Sequence, residues 1–364
     1  MASFKRNALF RKGRIAAVLA AVLAAPLAQA DVVRIGVATA GGGEPVTFSG
    51  STLGIVRNQQ LLEKAFAGSG TDVQWFFFKG AGPAVNEALS NQQLDFAYQG
   101  DLPAVVGRSN GLDTKLLAAL GVRANLYLAV PKGSDIKSIE DLKGKKVAVF
   151  RGTNGHLVSI NLLAEHGLTE RDIKVINLDT GSTQAALVSN GVDAAFGGRE
   201  LFKLRDKGLI DIIYDNPAQD VRYTRQTALV VRGAYEKEHP ANVQKVVDTL
   251  VDAAKWTSED GHRDAVFTEW AKSNDPVDSL RADFTGVSLR DRVSPLIDTF
   301  LVSRYQAVAD QAKDEKLIRR PVSIQGWFEP VYLQTALKTK GLEHFWTAYG
   351  PDGKQPAGNA VAGK

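Results

Sequence analysis

Short apolar runs recur along the chain, separated by longer segments of mixed polarity. The runs occupy residues 32–39, 73–80, 95–100, 115–122, 126–131, 145–150, 173–178, 193–198, 211–215 and 227–233. Each is strand-sized and most are rich in β-branched or aromatic residues, which predicts buried strands. The segments between them carry apolar residues at helical spacing. Residues 51–67 open on Ser51, a good N-cap. Residues 83–93 place Pro83 at a first helical position. Residues 182–191 start at Ser182 and stop at Gly191. Val243, Val246, Val247, Leu250, Val251 and Ala254 form one stripe on a long helix. Strand alternating with helix predicts an α/β chain of mainly parallel sheets with helices on both faces. No further run follows residue 234, and the rest reads as helices to about 348. The closing YGPDGKQPAGNAVAGK is rich in Gly, Pro and Ala and predicts a disordered tail over 349–364.

The pattern restarts in the middle of the chain. IEDLKGKKVAVFRGTNG (139–155) reads as the opening of a second α/β unit, bracketed by crossovers at 121–131 and 222–235. The expected organisation is a first lobe from 31–124 and 227–348, and a second lobe from 125–226. Hinges are expected near 122–127 and 223–229. Strand ends and helix starts of both lobes would face one cleft, a natural ligand site.

The first thirty residues belong to none of this. A basic stretch with Lys5, Arg6, Arg11, Lys12 and Arg14 precedes an apolar core and an AQA at 28–30. That is the plan of a secretory signal peptide, cleaved before Asp31. The apolar run is too short for a membrane anchor. Removing five positives from the net charge of +4 leaves −1, so the basic character gives no case for nucleic acid. The chain has no cysteine. That excludes disulfides, a thiol nucleophile, thiolate metal ligands and a lipid anchor on Cys. The expectation is a freely exported periplasmic monomer of two hydrophobic domains.

Five Gly-rich turns stand at strand-to-helix junctions: 48–54, 78–87, 98–105, 150–156 and 178–185. First-turn N–H groups and the helix dipole attract anions, and glycine lets the backbone come close. Any one such turn is ordinary capping; their recurrence points to a tetrahedral oxyanion. None gives the spacing of a phosphate loop or a dinucleotide fingerprint. The five histidines show no H-E-x-x-H spacing and there is no G-x-S-x-G elbow, so no metal, cofactor or catalytic residue is expected.

RIGV (34–37), GSTLGIVRNQQLLEK (50–64), GAGPAVNEALSNQQLDFAYQGDLPAV (80–105), DLKGKKVAVFRGTNGHLVSINLLAEHGL (141–168) and STQAALVSNGVDAAF (182–196) resemble the periplasmic solute-binding proteins of ABC transporters for aliphatic sulfonates, nitrate and taurine. The similarity spans about residues 32–335. It implies a type II periplasmic binding protein fold of two hinged lobes, with the C-terminal helices on the first. It also implies delivery of a small anionic ligand to a membrane permease. In such proteins main-chain N–H groups and hydroxyls hold the anion, at turns matching Ser51 and Thr52, Gly80 and Ala81, Gln99, Gly100 and Asp101, and Gly152, Thr153 and Asn154.

Two departures bear on the cargo. The approach ATAGGGEPVTFSGST (38–52) is longer and richer in glycine than the family suggests. Where sulfonate and taurine binders carry an aromatic and an acid, this chain reads Gly198, Arg199 and Glu200. That disfavours taurine, whose ammonium needs both. It favours a bulkier or wholly anionic ligand: an alkyl or aryl sulfonate, or a sulfate ester. Arg199 either enters the pocket or pairs with Glu200 at the surface. Arg151 and His156 are further pocket candidates. Nitrate, taurine and thiamine-precursor-like solutes remain alternatives. Desulfinases that resemble the family use a cysteine, which this chain lacks. Trp327 and Phe328 fit core packing better than a cleft wall.

Overall fold

The computed structural model describes residues 31–216 and 220–355. The leader expected at 1–30 and the end of the expected tail lie outside these residues. Ten strands form, one at each predicted run: β1 (Asp31–Val37), β2 (Thr71–Phe77), β3 (Phe96–Gly100), β4 (Thr114–Asn125), β5 (Tyr127–Pro131), β6 (Lys146–Val149), β7 (Lys174–Asn177), β8 (Ala194–Gly197), β9 (Ile210–Tyr214) and β10 (Thr224–Arg232). They make two five-stranded sheets, ordered β2-β1-β3-β10-β4 and β7-β6-β8-β5-β9.

In each sheet four strands run one way and one runs against them. β10 is antiparallel to β3 and β4, and β5 is antiparallel to β8 and β9. The reversed strand is in both cases the one the chain enters from the other sheet. It arrives without a helical crossover inside its own sheet, which parallel pairing would need. Asn125, at the end of β4, is the register partner of Thr224, at the start of β10. The two passages between sheets therefore begin and end side by side.

Helices cover both faces of each sheet. Val33, Ile35 and Val37 of β1 pack against the stripe on helix Pro240–Ser258, where Val243, Val247 and Leu250 are buried. The other face, with Ala97, Leu116 and Val230, meets Tyr305 and the fully buried Trp327. The second sheet packs Val147 and Val149 on Val158 and Leu162 of helix Asn154–Glu165, and Ala148 and Ala195 on Leu187 and Phe202. Each such large side chain contributes about 1.5–3 kcal/mol when fully buried.

Local chemistry shifts several boundaries. Ser51 caps helix Thr52–Asn58 through Leu53 N–H, as its residue type suggests. Pro83 is the third residue of helix Ala81–Ser90, still within the first turn, where its missing N–H leaves no bond unmade. Helix Thr180–Val188 starts before Ser182 because the Asp179 carboxylate accepts the Ser182 N–H at 3.0 Å. Residues 349–355, expected as tail, form an anchored turn. Tyr349 N–H donates to Asp298 at 2.9 Å, and its ring lies 4.0 Å from the Arg123 guanidinium.

Candidate functional site

A cavity of about 510 Å³ separates the two sheets and is lined from both. Two helix starts open into it. Helix Ala81–Ser90 follows β2, and helix Asn154–Glu165 follows β6. Neither has a side-chain cap. The first N–H groups of an uncapped helix have no acceptor of their own and point outward along the positive end of the dipole. At the first start, Gly80 (φ −73°, ψ 6°) is followed by Ala81 in the left-handed region (φ 51°). The Ala81 N–H donates to Phe78 O at 2.9 Å and Pro83 has no N–H, so within the first three helical residues it is the Gly82 N–H that is left without a main-chain acceptor. The two starts stand close together across the cleft. A Cβ added to Gly152 would lie 3.0 Å from Pro83, and one added to Gly100 would lie 2.9 Å from the Asn154 Cβ.

Two further helix starts reach the cavity but are already occupied. Asp179 caps helix Thr180–Val188. In helix Asp101–Ser109 the Asp101 carboxylate takes its own neighbour's N–H, that of Leu102, at 2.7 Å, and the Gln226 N–H at 3.0 Å. Burial pushes this carboxyl up to about 6, against the opposing pull of those two N–H groups and of Arg304 and Arg225.

Of the residues proposed from sequence, Ala81, Gly100, Thr153, Asn154, Gly198, Arg199 and Glu200 line the cavity. The other eight do not. Ser51 and Thr52 are buried beside it, the Ser51 hydroxyl donating to Leu120 O at 3.1 Å. Gly80 only turns the chain into its helix. Gln99 is buried against Asn86, at 2.6 Å. Asp101 faces strand β10, accepting the Gln226 N–H. Arg151 points to solvent and pairs with Glu170 at 3.2 Å. Gly152 N–H donates to His156 Nδ1 at 3.2 Å, which leaves His156 Nε2 to donate to Glu170 at 3.2 Å. This hydrogen bond holds the Glu170 carboxyl below its ordinary range. His156 thus shapes the glycine turn from behind. Trp327 lies in the core.

Arg199 does not pair with Glu200. It reaches across the cleft, donating through Nη2 to Ser49 Oγ at 2.6 Å, with its Nε 3.6 Å from Asp275; Ser49 in turn donates to Asp275. Lys79 meets Asp179 across the rim at 3.5 Å. Glu200 instead accepts the Gly198 N–H at 2.7 Å. Sequence reading missed Ser49, Lys79, Lys203, Arg225 and Asp275, all of which line the cavity. Ser49 sits inside a turn already singled out, and Arg225 inside a crossover read only as a hinge. Asp275 had no signal. It arrives from the C-terminal helices, whose turn at 272–273 packs so tightly on Gly42 and Gly43 that a Cβ on either would collide with main-chain oxygen. The glycine-rich approach noted in the sequence is what permits that contact.

The NMT1/THI5-like family profile matches residues 66–262, more than half of the chain. The chain belongs to the NMT1/THI5-like family. An aliphatic sulfonates-binding protein of Bacillus subtilis (strain 168) is similar, 26% identical over 291 residues, covering 79% of this chain and 85% of that protein. So is the Escherichia coli (strain K12) protein of the same name, 26% identical over 305 residues, covering 82% and 91%. Among solved structures, the periplasmic sulfonate-binding protein SsuA of a sulfonate ABC transporter from Methylobacillus flagellatus KT is 31% identical. It covers 88% of this chain and 98% of its own, with a TM-score of 0.73. In this NMT1/THI5-like chain the matched span carries both uncapped helix starts, Arg199 and Arg225. Ser49 and Asp275 fall outside it.

Proposed function

We propose that this NMT1/THI5-like protein is the substrate-binding component of an ABC importer and captures an organosulfur oxyanion, a sulfonate or sulfate ester, between its lobes. One observation carries the reading: two uncapped helix starts, one from each lobe, meet in a single cavity. The names of the similar proteins from Bacillus subtilis, Escherichia coli and Methylobacillus flagellatus agree with it. The sulfur-bearing head sits against the Ala81 and Asn154 helix starts. Phe48 and Tyr98, ring centroids 5.0 Å apart, give the tail an apolar wall. Ligand bridging both lobes stabilises the closed form, because only that form offers both sets of donors. The closed surface is then what a membrane permease recognises. Residues 1–30 act as a cleaved signal that delivers a monomer to the periplasm. The role is binding and release without turnover.

A thermal-shift screen with alkanesulfonates, aryl sulfate esters, taurine, sulfate and nitrate tests this. A ligand at about 100 times its Kd stabilises by about 2.7 kcal/mol, several degrees in melting temperature. Stabilisation by sulfonates or sulfate esters above nitrate and taurine is expected. Silence from every sulfur oxyanion would overturn the assignment, and release of sulfate from an ester would replace the receptor with an enzyme.

A further inference from the structure

We infer that the ligand carries a second anionic group on its tail, a carboxylate or another sulfur oxyanion, and that Arg225 receives it. This rests on the proposed capture of an organosulfur oxyanion and narrows the cargo from monoanions to dianions.

The two open helix starts hold one oxyanion with N–H groups alone, so the head needs no cation. The cations that line the cavity are then unequal. Lys79 is matched by Asp179, and Arg199 by Asp275 and Ser49. Arg225 has no such match. Its Nη2 donates to the Asn125 carbonyl, its Nε is buried without a partner, and it forms no ion pair among the described residues. A guanidinium so placed is costly unless an anion joins it.

Arg225 lines the cavity that would hold one. The Arg225 side chain runs from the Asn154 helix start, where a Cβ added to Gly155 would stand 3.9 Å from Cδ, to Gly198. A Cβ added to Gly198 would meet Arg225 Nη2 at 2.9 Å and Glu200 Oε2 at 2.6 Å. Glycine at 198 therefore lets the main chain pass close over the Arg225 guanidinium and the Glu200 carboxylate, where a side chain would collide with both. A planar carboxylate fits a guanidinium fork with two parallel hydrogen bonds. Glu200 stands beside the same guanidinium and opposes an anion. One of its oxygens is already held by Gly198 N–H, and Lys203, three residues on and also unpaired among the described residues, lines the same wall. Arg225 and Lys203 stand here beside Glu200, and the buried Asp101 and Asp283 carboxylates lie within the field of Arg225 without pairing with it.

Calorimetric titration of the purified protein at pH 7 tests this with three probes built on one propyl skeleton: propanesulfonate, 3-sulfopropanoate and the methyl ester of 3-sulfopropanoate. The dianion is expected to bind about tenfold more tightly than either monoanion, the worth of one charge-assisted hydrogen-bonded pair. In R225Q that ratio is expected to fall to about one, and in R225K to an intermediate value, since a point charge keeps attraction but not the fork. Propanesulfonate binding as tightly as the dianion, or a tenfold ratio that survives in R225Q, overturns the inference and leaves the proposed function standing. Failure of all three probes on the wild-type protein overturns both. If R225Q does not fold, as its melting curve would show, the wild-type ratio and R225K decide alone.

Discussion

Two turns of nearly the same composition, Gly50-Ser51-Thr52 in the first lobe and Gly152-Thr153-Asn154 in the second, open helices beside one cleft and end differently. Ser51 satisfies its own helix. Its Oγ accepts Leu53 N–H at 3.2 Å and donates to Leu120 O, and its carbonyl accepts the Trp270 indole N–H at 3.0 Å. The Ser51 hydroxyl and carbonyl are thus both used inside the lobe, while the buried Thr52 hydroxyl has no partner. Thr153 turns its hydroxyl back to Phe150 O at 2.7 Å and accepts no N–H from the helix it precedes. A helix start becomes available to an anion where its own cap is withheld, and residue type alone does not say which serine or threonine will withhold it.

Substitutions can break this contrast. The largest effect is expected from Gly100→Val, which places methyl groups where Asn154 stands. The lobes then cannot meet around the open helix start. Ligand affinity should fall by at least about 100-fold, while far-ultraviolet circular dichroism of the free protein stays unchanged. Retained affinity would mean that the Asn154 start does not hold the head.

Asp101 is the intermediate case, a helix start occupied by its own carboxylate. In the native protein this group titrates near 6, and in the unfolded chain near 3.9. Between those values the native state holds a proton that the unfolded state has released. Its contribution to stability therefore falls as pH rises through that window. Relative to Asp101→Asn, the wild-type protein should lose roughly 2–3 kcal/mol between about pH 4 and pH 7 in urea unfolding. A parallel pair of pH profiles would show that Asp101 is not buried as described.

Ser51→Ala and Asn154→Ala sharpen the comparison by separating stability from binding. The first removes a cap and a buried hydroxyl and should cost about 1–2 kcal/mol in unfolding free energy, with affinity nearly unchanged. The second should weaken ligand about tenfold and leave stability within about 0.5 kcal/mol. Equal effects of the two on affinity would erase the distinction. Smallest of all is Arg151→Ala, which breaks an exposed pair with Glu170. A change within a few tenths of a kcal/mol, and none in affinity, is expected by melting and titration. A larger loss of ligand would return Arg151 to the site.

Most of the architecture was legible because strands and helices announce themselves locally. Each predicted run became a strand, and the stripe from Val243 to Ala254 became a buried helix face. The direction of β5 and β10 was not legible, since apolar pattern is the same read either way. Within the cavity, turn chemistry pointed to the correct junctions but not to the correct atoms. Ser49 rather than Ser51 reaches the space, because the hydroxyl of one is buried by Leu120 and that of the other is drawn out by Arg199. Asp275 lies more than two hundred residues from Ser49 in sequence, and only the folded C-terminal helices bring it there. Arg225 was visible as a charge in a segment expected to be a hinge. What sequence could not supply was that no carboxylate among the described residues forms an ion pair with it.

The pairing of Asn125 with Thr224 has a mechanical side. The segment 126–223 is a loop tied off at its base by the β4–β10 ladder. Tension applied at the two ends of the folded chain runs through that ladder and bypasses the second lobe. In a pulling experiment the first lobe should yield first and the second should stay slack until it does, so the wall bearing Arg199 is shielded from load by the lobe it closes upon.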